Sequence, residues 1–266
     1  MQKKRLDVLM VEKGLVQSRE RAKALVMSAQ VLVNGSVAQK AGEMYLEEDE
    51  IVLKEADCPY VSRGGFKLEK AIQEFGLQLR GRVCMDVGAS TGGFTDCMLL
   101  AGAEKVYAVD VGYGQLAWKL RQDPRVVVME RVNARYLKPE DFDPAPSFAS
   151  MDVSFISLKL IVPALRELEV QEIAALIKPQ FEAGKEKVGK KGIVREAATH
   201  EEVLKRVTEE LRQIGYATAG LTYSPIRGQN GNIEFLGHFC LNKSLDVVSD
   251  EMIHNIVAQA HADTHK

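Results

Sequence analysis

Val83-Cys84-Met85-Asp86-Val87 runs directly into Gly88-Ala89-Ser90-Thr91-Gly92-Gly93, and an apolar strand ending in so many small residues before a helix restarts near Phe94 narrows the possible folds sharply. Small residues let the chain reverse tightly and bring its backbone close to a ligand. The next apolar segment ends at Asp110, 24 residues after Asp86, where a carboxylate can accept both hydroxyls of an adenosine ribose. Strand, glycine turn, helix and acid-ended strand together open a parallel α/β sheet.

The rest of the chain extends that pattern. Apolar strand candidates at 82–87, 105–109, 126–129, 148–153 and 172–177 alternate with helical stretches, as in a mostly parallel sheet covered on both faces. The last pair, 216–223 and 233–240, is separated only by the polar loop 224–232 and is expected to run antiparallel. The glycines lack the G-x-G-x-x-G spacing of dinucleotide sites and do not obviously cradle a pyrophosphate, which favours S-adenosylmethionine over NAD as the adenosine ligand. A purely structural strand-to-helix turn is the bland alternative.

Ahead of this sheet, residues 5–37 read as two short helices and a hairpin. Leu6, Leu9 and Met10 share a helical face, Gly14 breaks it, and Ser18 can cap a second helix through Arg19–Val26. Val31-Leu32-Val33 followed by Asn34-Gly35 is a strong hairpin signal. The net charge of −2 conceals a local asymmetry: residues 1–40 carry eight Lys/Arg against Asp7, Glu12 and Glu20. Arg5, Arg19, Arg21 and Lys23 are the expected phosphate contacts, which give affinity and register without reading bases. The Cys58-Pro59 region reads as a linker, giving domains at 1–58 and 59–266.

With 46% apolar and 27% charged residues the composition is that of a soluble globular protein. Cys58, Cys84, Cys97 and Cys240 are scattered without a C-x-x-C pair, which fits free thiols in a reducing compartment. The first residues lack the apolar core of a secretion signal, and no apolar run is long enough to span a bilayer, so a cytoplasmic protein with no membrane partner is expected. The five histidines show no ligand spacing, so no metal is expected. Trp118 is expected in the core.

Two segments resemble known families. Residues 5–37 look like the small RNA-binding domain named after ribosomal protein S-four, although Gln30 stands where that family commonly has glycine and an altered turn is expected there. The larger part resembles the FtsJ-like ribose methyltransferases. The combination is similar to the TlyA family, historically labelled haemolysins but acting as rRNA cytidine 2'-O-methyltransferases. The segments S-R-G-G-F-K-L (62–68), D-V-G-A-S-T-G-G-F-T-D (86–96), A-V-D-V-G-Y-G-Q-L (108–116), M-D-V-S-F-I-S-L (151–158), L-I-K-P-Q-F-E (176–182) and S-P-I-R-G-Q-N-G-N-I-E-F (224–235) carry it.

The resemblance implies a Rossmann-like class I methyltransferase sheet behind a small α+β RNA-binding domain, with ribosomal RNA or ribosomal subunits as partner. It implies a Lys-Asp-Lys-Glu set at Lys67, Asp152, Lys178 and Glu234. It also puts Asp86, Gly88, Ser90, Thr91, Gly92, Gly93, Asp110 and Val111 against S-adenosylmethionine, with Asn133 facing the adenine. On this pattern Lys178 is the base, Lys67 a neighbouring cation that steadies ribose or phosphate, Asp152 the residue that orients Lys178, and Glu234 a partner of either Lys67 or the substrate hydroxyl.

A ribose hydroxyl is a poor nucleophile, so in-line placement and a proton acceptor are what such a site must supply. Taken singly, lysines, aspartates and glutamates are mostly surface charges. Asp152 and Lys178, however, fall at the ends of inferred parallel strands, where open α/β sheets bind ligands. The Gly-rich basic run 182–195, with Lys185, Lys187 and Lys190, reads either as a clamp for RNA phosphates or as a solvated charge run. Arg63 and Arg227 contact RNA or form structural salt bridges. A non-catalytic RNA-binding assembly factor, an NAD oxidoreductase and a membrane-active haemolysin are the competing classes.

Overall fold

Ile173, Ala175 and Ile177 point to one side of their strand and Ala174 and Leu176 to the other, and all five are buried. A strand apolar on both faces must be covered on both, so it belongs inside a layered sheet. The computed structural model describes residues 3–16, 18–54 and 58–263, and its chain divides into two units, Met1–Pro59 and Tyr60–Lys266.

In the first unit β1 (Lys4–Arg5) leads into α1 (Leu6–Glu12) and α2 (Arg19–Met27), followed by β2 (Val31–Val33), β3 (Ser36–Val37), β4 (Met44–Tyr45) and β5 (Ile51–Leu53). Ser18 Oγ accepts from the Arg21 amide at 3.2 Å, capping α2 as its hydroxyl allows. Leu6, Leu9 and Met10 meet Leu25, Val26, Val31 and Val33 in one small core. The hairpin β2–β3 forms across Asn34-Gly35, and β5 pairs with the other edge of β2. The turn near Gln30 is built with a left-handed residue at Ala29 (φ 56°), one position earlier.

The second unit begins with α3 (Gly65–Phe75), β6 (Val83–Val87), α4 (Gly93–Leu100), β7 (Lys105–Asp110), α5 (Trp118–Arg121) and β8 (Val126–Glu130). It continues through β9 (Phe148–Met151), α6 (Val162–Glu167), β10 (Glu172–Ile177), α7 (Pro179–Glu182), α8 (Ala197–Ile214), β11 (Ala217–Tyr223), β12 (Phe235–Cys240) and α9 (Asp250–Asp263). The sheet order is β11-β12-β10-β9-β6-β7-β8. Strands β10, β9, β6, β7 and β8 run parallel to one another, whereas β12 runs antiparallel to both β10 and β11.

The chain therefore leaves β6 toward β7 on one side and later returns to β9 on the other. Between β6 and β9 the strand order reverses, and an open sheet forms its ligand crevice at that point. Gly88 sits there with φ 87°, and a Cβ on it would lie 2.5 Å from the Asp152 carbonyl oxygen. Gly92, φ 96°, leaves room for Leu116 and Leu120, the inward residues of the α5 region. Trp118 corrects the sequence expectation: it lies on the outer side of this short helix and is 71% exposed, because Leu120 takes the buried face.

Candidate active site

Asp152 follows β9 and Lys178 follows β10, adjacent parallel strands, so both emerge at the same edge of the sheet. Lys178 Nζ lies 2.6 Å from Asp152 Oδ1 and donates to Ser154 Oγ at 3.0 Å. Lys67, in the first turn of α3, and Glu234, one residue before β12, form a second pair at 2.7 Å. Both are buried, Lys67 at 8% and Glu234 at 2% exposure. Two charges withdrawn from water persist only when their remaining donors and acceptors are also met. Gln180 Nε2 meets one of them, donating to Glu234 Oε1 at 3.0 Å.

All four charged residues line one cavity of about 240 Å³, together with Ser62, Gly64, Ser90, Ser154, Gln180 and Phe181. A second cavity of about 480 Å³ lies on the β7 side, walled by Val111, Val132, Ala134, Val153 and Ile156, with Asp110 and Asn133 as polar groups. Gly88, Ser90, Asp152 and Ser154 border both. Apolar walls with a few convergent polar groups are what a nucleoside requires. Asp110 is fixed in place, Oδ2 accepting from the Ser90 amide at 2.8 Å and Oδ1 from the Gly112 amide at 2.6 Å.

Residues 60–241 match the model of the FtsJ-like methyltransferase family, and residues 4–51 match the S4 domain. The chain belongs to the FtsJ-like methyltransferase family. Among relatives of this FtsJ-like chain, a candidate rRNA methyltransferase of Bacillus subtilis, YqxC, is 51% identical over 265 residues, covering 97% of this chain and 94% of that one. The 16S/23S rRNA (cytidine-2'-O)-methyltransferase TlyA of Mycobacterium tuberculosis is 41% identical over 234 residues, 87% of each chain. A solved structure of a candidate hemolysin from Streptococcus thermophilus superimposes with a TM-score of 0.78 at 50% identity, covering 100% of this chain and 98% of that one.

In this FtsJ-like unit Gly88, Ser90, Thr91, Gly93, Asp110, Val111 and Asn133 border one cavity or the other. Asp86 and Gly92, expected against the cofactor, do not. The Asp86 carboxylate is fully buried beneath the glycine loop, held by Thr95 Oγ1 at 2.6 Å and Ser150 Oγ at 3.1 Å. Burial pushes its carboxyl up to about 7, against the pull of those two hydroxyls. Asp86 thus braces the loop from below, and Gly92 serves packing.

Sequence reasoning missed Ser62, Ser154, Gln180 and Phe181 as cavity residues. Each stands within a motif already singled out, so closeness to Lys67, Asp152 and Lys178 was an available signal. Glu182, in the same motif as Lys178, is a buried carboxylate that accepts from Ser157 Oγ at 2.7 Å and the Leu158 amide at 2.9 Å, and burial raises its pKa.

The basic residues fall into distinct settings. Arg5 and Arg19 both grip Asp7, at 3.0 and 2.9 Å, although Asp7 is wholly buried and they are about half exposed. The Arg5 guanidinium first, and then Arg19, hold the Asp7 carboxyl down at about 2 against the opposing effect of burial. These arginines therefore anchor the fold of the small unit as well as presenting charge, whereas Arg21 and Lys23 lie on the exposed face of α2. In the second unit Lys187 pairs with Glu202 and Lys190 is exposed. Of Lys185 only the backbone is described. Arg63 and Arg227 border an 830 Å³ groove beside α3, and Arg227 donates to the Gly231 carbonyl at 3.1 Å.

Proposed function

We propose that this protein transfers the methyl group of S-adenosylmethionine to a ribose 2'-hydroxyl of ribosomal RNA, at a cytidine, in the cytoplasm. The observation that carries the reading is the convergence of Lys178–Asp152 and Lys67–Glu234 on one cavity that adjoins a nucleoside-sized one through Gly88, Ser90, Asp152 and Ser154. The named activity of the TlyA relative, 41% identical over most of both chains, supports the substrate class.

Asp110 and Asn133 would hold the ribose and purine of the methyl donor, with Gly88 bordering the same cavity. When bound, that molecule supplies a methyl carbon activated by positive sulfur. Lys178 Nζ, once it has released its own proton, takes the hydroxyl proton as the neutral amine, and Asp152, 2.6 Å away, balances the ammonium that results. Lys67, held by Glu234, offers a fixed cation to the ribose or its phosphate. Since both Glu234 oxygens are already engaged by Lys67 and Gln180, Glu234 is assigned to Lys67 rather than to the substrate hydroxyl.

RNA phosphates would be met by Arg5, Arg19, Arg21 and Lys23 on the small unit, and by Arg63, Lys185, Lys187, Lys190 and Arg227 on the large one. The test is incubation with labelled S-adenosylmethionine and separated ribosomal subunits, followed by nucleoside analysis. A 2'-O-methylcytidine product is expected, and label confined to a base would overturn the ribose assignment.

A further inference from the structure

Gln180 stands two residues after Lys178, on the single turn of α7, and its amide reaches Glu234 Oε1 at 3.0 Å while Lys67 Nζ holds Glu234 Oε2 at 2.7 Å. A carboxylate paired with a cation only accepts hydrogen bonds, so the amide must turn its NH₂ toward Glu234. Its oxygen then points away, and that Oε1 is enclosed without a donor among the described residues. An amide serving packing alone would be met at both ends. Here an acceptor is left unpaired in order to present N–H to Glu234.

The backbone 178–180 thereby links the two ion pairs through its side chains. Lys178 engages Asp152 and Ser154, and Gln180 engages Glu234 and through it Lys67. The neighbouring Glu182 ties the same turn to Ser157 and Leu158, in the loop that carries Asp152 and Ser154. Lys67 arrives from the separate helix α3, whereas Glu234 just precedes β12, whose antiparallel register with β10 (Ile177 opposite Phe235) already sets its backbone beside Lys178 and leaves the side-chain pair to be oriented.

We propose that Gln180 is a positioning residue for methyl transfer, fixing the Lys67–Glu234 pair relative to Lys178; this rests on the methyl-transfer reading above. It acts through Glu234, so its loss shows in turnover rather than in binding.

The experiment compares full-length Gln180→Met and Gln180→Glu with wild type on ribosomal subunits, measuring kcat, RNA KM and cofactor Kd across pH. Gln180→Met matches the volume without the N–H, and kcat is expected to fall about tenfold or more at every pH, with KM and Kd within about twofold. Gln180→Glu places a second carboxylate against Glu234. As pH falls the two share a proton, and the restored O–H donor replaces the amide. Its kcat relative to wild type therefore rises toward low pH, while that of Gln180→Met stays flat.

A Gln180→Met kcat within twofold of wild type would overturn the proposal. So would equal, pH-independent ratios for the two variants. Thermal melts of both confirm that each is folded at the assay temperature. Product identity in the wild-type lane reports separately on the ribose reading, since a base-only product would sink that reading and leave the variant ratios to be scored on their own.

Discussion

Lys67 and Glu234 lie 167 positions apart in the chain, yet their side chains meet at 2.7 Å in an enclosed corner of the sheet's ligand crevice. Removing one member of such a pair strands the other's charge away from water, which costs roughly 3–5 kcal/mol, whereas removing both is nearly neutral. Lys67→Met is accordingly expected to lower the Tm of the methyltransferase unit by roughly 10 °C. The double variant Lys67→Met/Glu234→Leu should recover most of that loss while remaining inactive. Calorimetry on the three proteins checks this, and additive losses would show that the two groups are not coupled.

Lys178 is assigned the proton, so its replacement should act on turnover. Lys178→Ala is expected to reduce kcat by about 10²–10⁴-fold, the usual contribution of a general base. Cofactor affinity measured by titration calorimetry should change little, and full methyl transfer by this variant would refute the assignment.

Asp110 holds the Ser90 and Gly112 amides and faces the nucleoside-sized cavity. Asp110→Ala removes a ribose acceptor and loosens the loop together. The stabilisation that saturating S-adenosylmethionine confers on wild type, about 2.7 kcal/mol at a hundredfold excess over Kd, should largely vanish from thermal melts of the variant.

Burial pushes the Asp86 carboxyl up to about 7, against about 3.9 for an unfolded aspartate. A carboxyl whose folded pKa is raised favours folding while it stays protonated. Its contribution is thus full below about pH 4 and is lost as pH rises through 7. Asp86→Asn should flatten the fall in Tm between about pH 4 and about 7, seen as a smaller slope in melts across that window. An unchanged slope would mean that the buried carboxyl does not take up the proton.

Arg19 and Lys23 share the face of α2 but not the same task. Lys23→Ala should leave the melting of the small unit unchanged and reduce the slope of log affinity against log salt by about one unit for RNA. Arg19→Ala should also destabilise that unit, because Asp7 is fully buried and, among the described residues, would keep Arg5 alone as its cation. In wild type the Asp7 contribution is full above the unfolded carboxyl range near 4 and is lost as pH falls through about 2.

What the chain spells out locally, it spells out well. Periodicity placed the strands that form the sheet, the small residues from Gly88 marked the crevice, and Asn34-Gly35 and Ser18 marked a hairpin and a cap, because each depends on neighbours within one turn or one strand. Tertiary structure decided the rest. Only packing shows that Asp86 lies under the loop instead of in it, that Trp118 faces outward because Leu120 fills the inner side of α5, and that Arg5 and Arg19 are committed to Asp7. The pairing of Lys178 with Asp152 and of Lys67 with Glu234, and the bridge that Gln180 makes to Glu234, come from the parallel register of β9 with β10, the antiparallel register of β10 with β12, and helix docking. These are distances between remote segments, and no local preference encodes them.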